Sequence, residues 1–196
     1  KGRGNSVPAE TVTGIETHTE NIIELIEQLN IKNPIIMGYS MGAFIAANVA
    51  SRLKKIIGII LLDGAAISDE HQKNIIEPSL GRLSKEYATP EEYIEEIRNI
   101  YGRLGVEWTD HLEEIGRYEI KEVNGIWRSK SNERKIREDL SSFYEYDPKQ
   151  VFSKISCPIF LVHSNGNIGT NPPLFLKEHY RDTLVFSSVM SRRDEN

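Results

Sequence analysis

The pentapeptide Gly38-Tyr39-Ser40-Met41-Gly42 constrains this chain more than any other feature. It fits G-x-S-x-G, and its flanks matter more than the match itself. Before it, residues 35–37 (Ile-Ile-Met) form a short apolar run bounded by Pro34 and Gly38, which reads as a buried strand. After it, residues 41–53 carry Ala43, Ala46, Ala47 and Ala50, a small-residue helix that can pack closely. A serine between such a strand and such a helix sits on a sharp turn at strained φ/ψ, and the flanking glycines are expected to relieve clashes there. The helix N-terminus brings positive potential beside the hydroxyl, and the Met41 N–H would point at a developing oxyanion. Ser40 is therefore the candidate nucleophile and Met41 the candidate oxyanion donor.

The elements around the pentapeptide alternate. Thr13-Gly14-Ile15-Glu16 fits a capping box, and Ile15, Ile22, Ile26 and Leu29 recur at helical spacing until Asn30 and Asn33-Pro34 break the pattern. Residues 56–62 are apolar on both faces and β-branched, as an internal strand of a parallel sheet requires. Helix, strand, helix, strand implies right-handed crossovers and an α/β sheet.

Residues 67–150 change character, becoming rich in Glu, Lys, Arg and Tyr. Thr89-Pro90-Glu91-Glu92 is a strong helix start, with Tyr93, Ile94, Ile97, Ile100, Tyr101 and Leu104 on one face. Further helices are predicted over residues 111–123 and 132–144, and no strand pattern stands out. The expectation is a helical cap, inserted between two strands and packed over their C-terminal edge. Residues 159–163, following Cys157-Pro158, read as another buried strand. Pro172-Pro173 opens a short helix through Tyr180, and residues 183–189 are a last strand. The domain reading is thus a core segment with the elbow (1–66), a helical cap (67–150) and a core segment that returns to the sheet (151–196).

Composition narrows the function classes. The chain has 196 residues, enough for one domain with a sizeable core. With 24 basic against 29 acidic residues it lacks the basic surplus of a general nucleic-acid binder. No run of about 18 apolar residues exists, so no membrane helix is expected. The single Cys157 rules out a disulfide framework and cysteine-rich zinc sites. No histidine pair has zinc spacing, and no metal or cofactor is expected. The expected partner is a small-molecule substrate, and the expected location is cytoplasmic.

Taken together, these motifs resemble the α/β-hydrolase superfamily. Gly2-Arg3-Gly4-Asn5-Ser6 looks like the family's G-x-G-x-S loop after its fourth strand, with Lys1 where Arg is usual. The elbow, a strand ending Leu61-Leu62-Asp63, a helical cap and the Cys157-Pro158 strand then follow in the family's order. The resemblance implies a partial α/β-hydrolase sheet, truncated at both ends: family members carry earlier strands with an oxyanion loop, and a catalytic His after the last strand. It also implies that Ser40 attacks an ester-like or other acyl carbon. The family's usual acid position, after residues 159–163, holds Asn167 and no carboxylate. Some relatives place the acid after the preceding strand, where Asp63 stands, so Asp63 is either the triad acid or a strand-end capping residue. As triad acid it should open toward Ser40.

None of the five histidines is an obvious base. His18 lies in a helix, His71 and His111 in the cap, His163 at a strand end, and His179 before the last strand. Trp108, Trp127, Tyr118 and Phe143 either line a pocket under the cap or fill its core. The competing reading is a non-catalytic receptor- or binding-type homologue.

Overall fold

A computed structural model describes residues 1–6, 8–181 and 189–190. The chain divides into two compact units. The sheet unit comprises residues 12–73, 138–166 and those described from Pro173 onward, and the second unit comprises residues 1–11, 74–137 and 167–172.

The sheet unit is built on β1 (Ile35–Tyr39), β2 (Gly58–Leu62), β6 (Ile159–Val162) and β7 (Val189–Met190), paired in the order β1-β2-β6-β7. Every pairing is parallel. The last strand expected over residues 183–189 falls mostly outside the described residues. Register puts Gly38 beside Leu61 and Leu61 beside Leu161, so these share a face, together with Ile59. That face is buried, and helices α1 (Ile15–Gln28) and α2 (Met41–Arg52) belong to the same unit. The alanines of α2 at 43, 46, 47 and 50 are all buried, as their spacing predicts. The opposite face of the sheet is different. Met37 is 65% exposed and Tyr39 71%, with Ile35, Phe160 and Val162 also open.

The start of α1 departs from expectation. Its N-cap is Gly14 and no side chain caps it. Instead Thr13 Oγ1 donates to the Asp139 carboxylate at 2.5 Å, and the Ile15 N–H donates to Ser142 Oγ at 2.8 Å. A distant segment, α6 (Glu133–Tyr144), thus supplies partners the capping box would have supplied locally. After β2 in sequence comes α3 (Glu70–Ile76), whose residues from Asn74 onward belong to the second unit. After α6, α7 (Pro148–Phe152) opens with Asp147 accepting the Gln150 N–H.

Residues 67–73 and 138–150, read from sequence with the insertion, group with the sheet unit. Phe143 shows why: its ring lies 4.7 Å from Phe44 of α2, so it belongs to the sheet unit's aromatic core and not to a cap core.

In the second unit, α4 (Pro90–Arg103) begins as predicted, with Thr89 accepting the Glu92 N–H and Pro90 in the first turn. Helix α5 (Asp110–Glu119) follows, capped by Thr109. The unit is not all helical. Strands β3 (Glu86–Tyr87), β4 (Ile120–Val123) and β5 (Ile126–Ser129) form an antiparallel sheet in the order β3-β5-β4. The helix expected over residues 111–123 therefore stops at Glu119. The cause is the Asn124-Gly125 turn, where both residues take positive φ (55° and 78°) and close a two-residue hairpin between Val123 and Ile126. Tyr87, Tyr93, Ile94, Ile97 and Ile120 form the core here, with Trp108 and Trp127 packed against it.

Candidate active site

Ser40 occupies the single-residue turn between the end of β1 and the start of α2, at φ 50° and ψ −120°. This is a sparsely populated backbone region for a residue with a Cβ, of the kind that costs about 1–3 kcal/mol and persists only where its surroundings enforce it. Two backbone hydrogen bonds enforce it. The Ser40 N–H donates to Leu62 O at 2.9 Å, and Ser40 O accepts the Ala43 N–H at 2.9 Å.

Ser40 stands at the N-cap position of a 12-residue helix yet makes no capping bond. Serine at that position ordinarily accepts an N–H from the first turn. Among the described residues its hydroxyl makes no hydrogen bond, so it is neither spent on the helix nor held by a base. The Met41 N–H, at the first helical position, has no intrahelical acceptor. Among the described residues, a hydroxyl without a hydrogen-bond partner therefore adjoins an N–H without one, at the positive end of a helix.

The glycines around Ser40 are not equivalent. A Cβ on Gly38 would lie 2.0 Å from Gly42 O, so strand and helix cross too closely for any side chain there. A Cβ on Gly42 would meet nothing within 4 Å, which corrects the expectation that both motif glycines relieve clashes. The second steric requirement falls on Gly64, where a Cβ would lie 2.4 Å from Ser40 O. The sequence reading missed Gly64, although its place directly after a strand-ending Asp was a usable signal.

Asp63 leaves β2 at φ 47°, its N–H donating to Val162 O at 2.8 Å. Its Oδ1 accepts the Ser164 N–H at 3.2 Å and the Tyr180 hydroxyl at 3.4 Å. Both partners lie at or beyond the β6 exit and neither is on the elbow. Oδ1 thus caps the Ser164 amide where the chain leaves β6. Burial pushes the Asp63 pKa above the ordinary carboxylate value, against the Ser164 N–H, the nearby His163 and the Tyr180 hydroxyl, which pull it down. Asn167, in the usual acid position by sequence, falls in the second unit.

The histidines have other work. His71 Nε2 donates to Pro173 O (2.8 Å), Gln72 Nε2 to Leu174 O (2.9 Å) and His163 Nε2 to Phe175 O (2.7 Å). Three side chains thus take three consecutive carbonyls. His179, buried, accepts the Leu176 N–H on Nδ1 at 2.9 Å and holds Nε2 3.4 Å from Asp69. With its carbonyls and an N–H claimed by side chains, the helix expected after Pro172-Pro173 shrinks to a 3₁₀ turn at Lys177–Tyr180. His18 Nε2 lies 3.0 Å from Asp139, which is 1% exposed. His111 is exposed, 3.8 Å from Glu114. None of the five is hydrogen-bonded to Ser40. Among the described residues, no group of three or more His, Cys, Asp or Glu converges as metal ligands would.

No family model matches the sequence, and no curated protein sequence does. Solved structures do match. The chain is similar to E-2-(acetamidomethylene)succinate hydrolase with a TM-score of 0.74 and 16% identity, over 85% of this chain and 61% of that one. It is similar to the thioesterase domain from the curacin biosynthetic pathway at 0.65 and 21% identity, over 92% and 65%. A hydrolase from Pseudomonas aeruginosa PA01 matches at 0.61 and 16% identity, over 96% and 65%. The fold is that of the α/β-hydrolases, with a parallel sheet. The chain spans less than two thirds of the length of each of these structures.

Proposed function

We propose that this chain carries the nucleophile of a serine hydrolase acting on a small ester-like or other acyl substrate. The observation that carries the reading is the backbone of Ser40, held at φ 50°, ψ −120° between a strand and a helix with its hydroxyl uncommitted. A fold with no chemistry at this turn would gain by letting that hydroxyl cap the helix, at about 1 kcal/mol. That the similar structures include hydrolases and a thioesterase domain supports an acyl substrate.

In this reading Ser40 Oγ attacks the acyl carbon while a histidine takes its proton. The tetrahedral oxyanion is held by the Met41 N–H and one further donor. Collapse of the intermediate expels the alcohol or thiol, which takes back the proton from the histidine. Water, deprotonated by the same histidine, then attacks the acyl-serine and releases the acid. The histidine is not among the five of this chain as they are engaged here. Asp63 serves as the triad acid if that histidine reaches Oδ2, since both observed hydrogen bonds fall on Oδ1.

A fluorophosphonate probe tests the reading on the full-length protein. Covalent labelling that maps to Ser40 and disappears in Ser40→Ala is expected. Absence of labelling at Ser40 in a folded protein favours a second reading, a non-catalytic binding homologue. One observation supports that second reading: among the described residues, no histidine is hydrogen-bonded to Ser40.

A further inference from the structure

Among the buried alanines of α2 stands one polar side chain, Asn48, only 8% exposed. Asparagine is a weak helix former, and a buried carboxamide ordinarily finds hydrogen-bond partners. Among the described residues the Asn48 carboxamide has none. The Ser51 hydroxyl donates to the Asn48 backbone carbonyl at 2.7 Å and leaves the side chain unspent.

The amide is not sealed in the core. Both of its polar atoms keep some accessible surface, and Asn48 lines a cavity of about 250 Å³. Every residue of that lining belongs to the sheet unit. The volume lies just below the ordinary range of ligand sites, so it suits a small molecule. The lining is mainly polar, so the occupant it fits is polar too.

Two of the lining charges satisfy each other. Arg52 donates to the Glu16 carboxylate, and that bond holds the Glu16 pKa below the ordinary carboxylate value. Three other charges are unspent. Among the described residues Lys154 and Glu145 make no ion pair. Asp147 engages Oδ1 alone, which accepts the Gln150 N–H at 3.2 Å. The segment 145–154, which contains α7, thus offers one ammonium and two carboxylates to the cavity that Asn48 lines from α2.

An α-amino acid carries an ammonium and a carboxylate on one carbon, and each seeks a partner of opposite charge. A carboxamide serves both ends, since its Oδ1 accepts from the ammonium and its Nδ2 donates to the carboxylate. We infer that this cavity binds a small free α-amino acid, its ammonium on Glu145 and Asp147, its carboxylate on Lys154, and both ends against Asn48. An unpartnered amide among buried alanines costs its desolvation, and the bound amino acid supplies the hydrogen bonds that offset it. The inference does not depend on Ser40 chemistry: none of these residues is at the strand-to-helix turn, and the test reads binding and not turnover.

Calorimetric titration of the full-length protein with L-serine, with ethanolamine, which lacks its carboxylate, and with 3-hydroxypropanoate, which lacks its ammonium, tests it. Saturable serine binding is expected, at least about tenfold tighter than either comparator. Asn48→Ala should weaken serine binding by about tenfold or more while the unliganded protein melts at the same temperature or higher, because alanine is the better helix former and no hydrogen bond is lost. Lys154→Met, on the exposed rim, should weaken serine binding in the same direction and leave the melting temperature unchanged. Absence of saturable serine binding would overturn the inference and leave the cavity to water. Equal affinity for serine and either comparator would overturn it, as would unchanged serine affinity in Asn48→Ala or in Lys154→Met. A lower melting temperature in unliganded Asn48→Ala would return the amide to a structural role. Failure of Ser40 to label with fluorophosphonate leaves these titrations intact.

Discussion

Three alanine substitutions around the elbow give a sharply graded expectation. At Gly38 the new Cβ would lie 2.0 Å from Gly42 O and 2.3 Å from Gly42 C, and at Gly64 2.4 Å from Ser40 O. Ordinary contact begins near 3.4 Å, so both are at least an ångström too close, and the obstacle is backbone in each case. Overpacking of this kind costs about 1–3 kcal/mol and more where backbone must move. Gly38→Ala should therefore lose about 3 kcal/mol or more and Gly64→Ala about 2–3 kcal/mol. At roughly 2–4 °C per kcal/mol for a chain of this length, Gly38→Ala should melt at least about 6 °C lower. Gly42→Ala meets open space in the first turn of α2 and replaces the poorer helix former. It should be neutral, or stabilising by up to about 1 kcal/mol. Differential scanning calorimetry of the three variants, with circular dichroism to confirm the fold, measures the order directly. If Gly42→Ala proves as damaging as Gly38→Ala, the steric account of the elbow is wrong.

Other outcomes follow from the same coordinates. The chain of residues 1–196 alone should hydrolyse 4-nitrophenyl acetate only at a rate that Ser40→Ala leaves unchanged, because no histidine is bonded to Ser40; a Ser40-dependent rate well above background refutes this. His18→Leu removes a partner from the buried Asp139 carboxylate and should destabilise by about 1–3 kcal/mol in urea melts; an unchanged midpoint would show that the pair contributes nothing. Burial raises the Asp63 pKa in the folded state, so the native protein holds the extra proton and stability falls as pH rises from the unfolded carboxylate pKa through the folded one. Asp63→Asn should flatten that segment of the stability–pH curve and gain relative stability above it; a curve identical to wild type contradicts the assignment. Gly125→Ala, at φ 78°, should cost about 1–2 kcal/mol and loosen the β4–β5 hairpin, read by amide exchange at Val123 and Ile126.

The sequence exposed those parts of the fold that depend on local pattern. Pro34 marked the start of β1, which runs through Gly38 to Tyr39; the alanine spacing marked α2, and Thr89-Pro90 started α4, because each signal acts within a few residues. The strand-to-helix turn at Ser40 was legible for the same reason. What was lost depended on residues distant in sequence. Thr13 pairs with Asp139 instead of capping α1, and His71, Gln72 and His163 take the carbonyls that a helix after Pro173 would have used. The Asp63 partner Ser164 was hidden for a similar reason, since it lies 101 positions away. The β4–β5 hairpin is a different kind of miss. Asn124-Gly125 is a strong local turn signal, and the surrounding charged residues masked the strand alternation on either side.

The strand exits have one further consequence. Ser40 donates its N–H to the last carbonyl of β2, and Asp63 donates its own to the last carbonyl of β6. Each strand thus hands its final residue to its neighbour through peptide groups alone. Those groups are the same whatever amino acid stands at positions 62 and 162. Descendants of this sequence can exchange the side chains there while inheriting the backbone position of Ser40 unchanged. Variation at those two positions leaves the turn at Ser40 anchored and only its surroundings free to change.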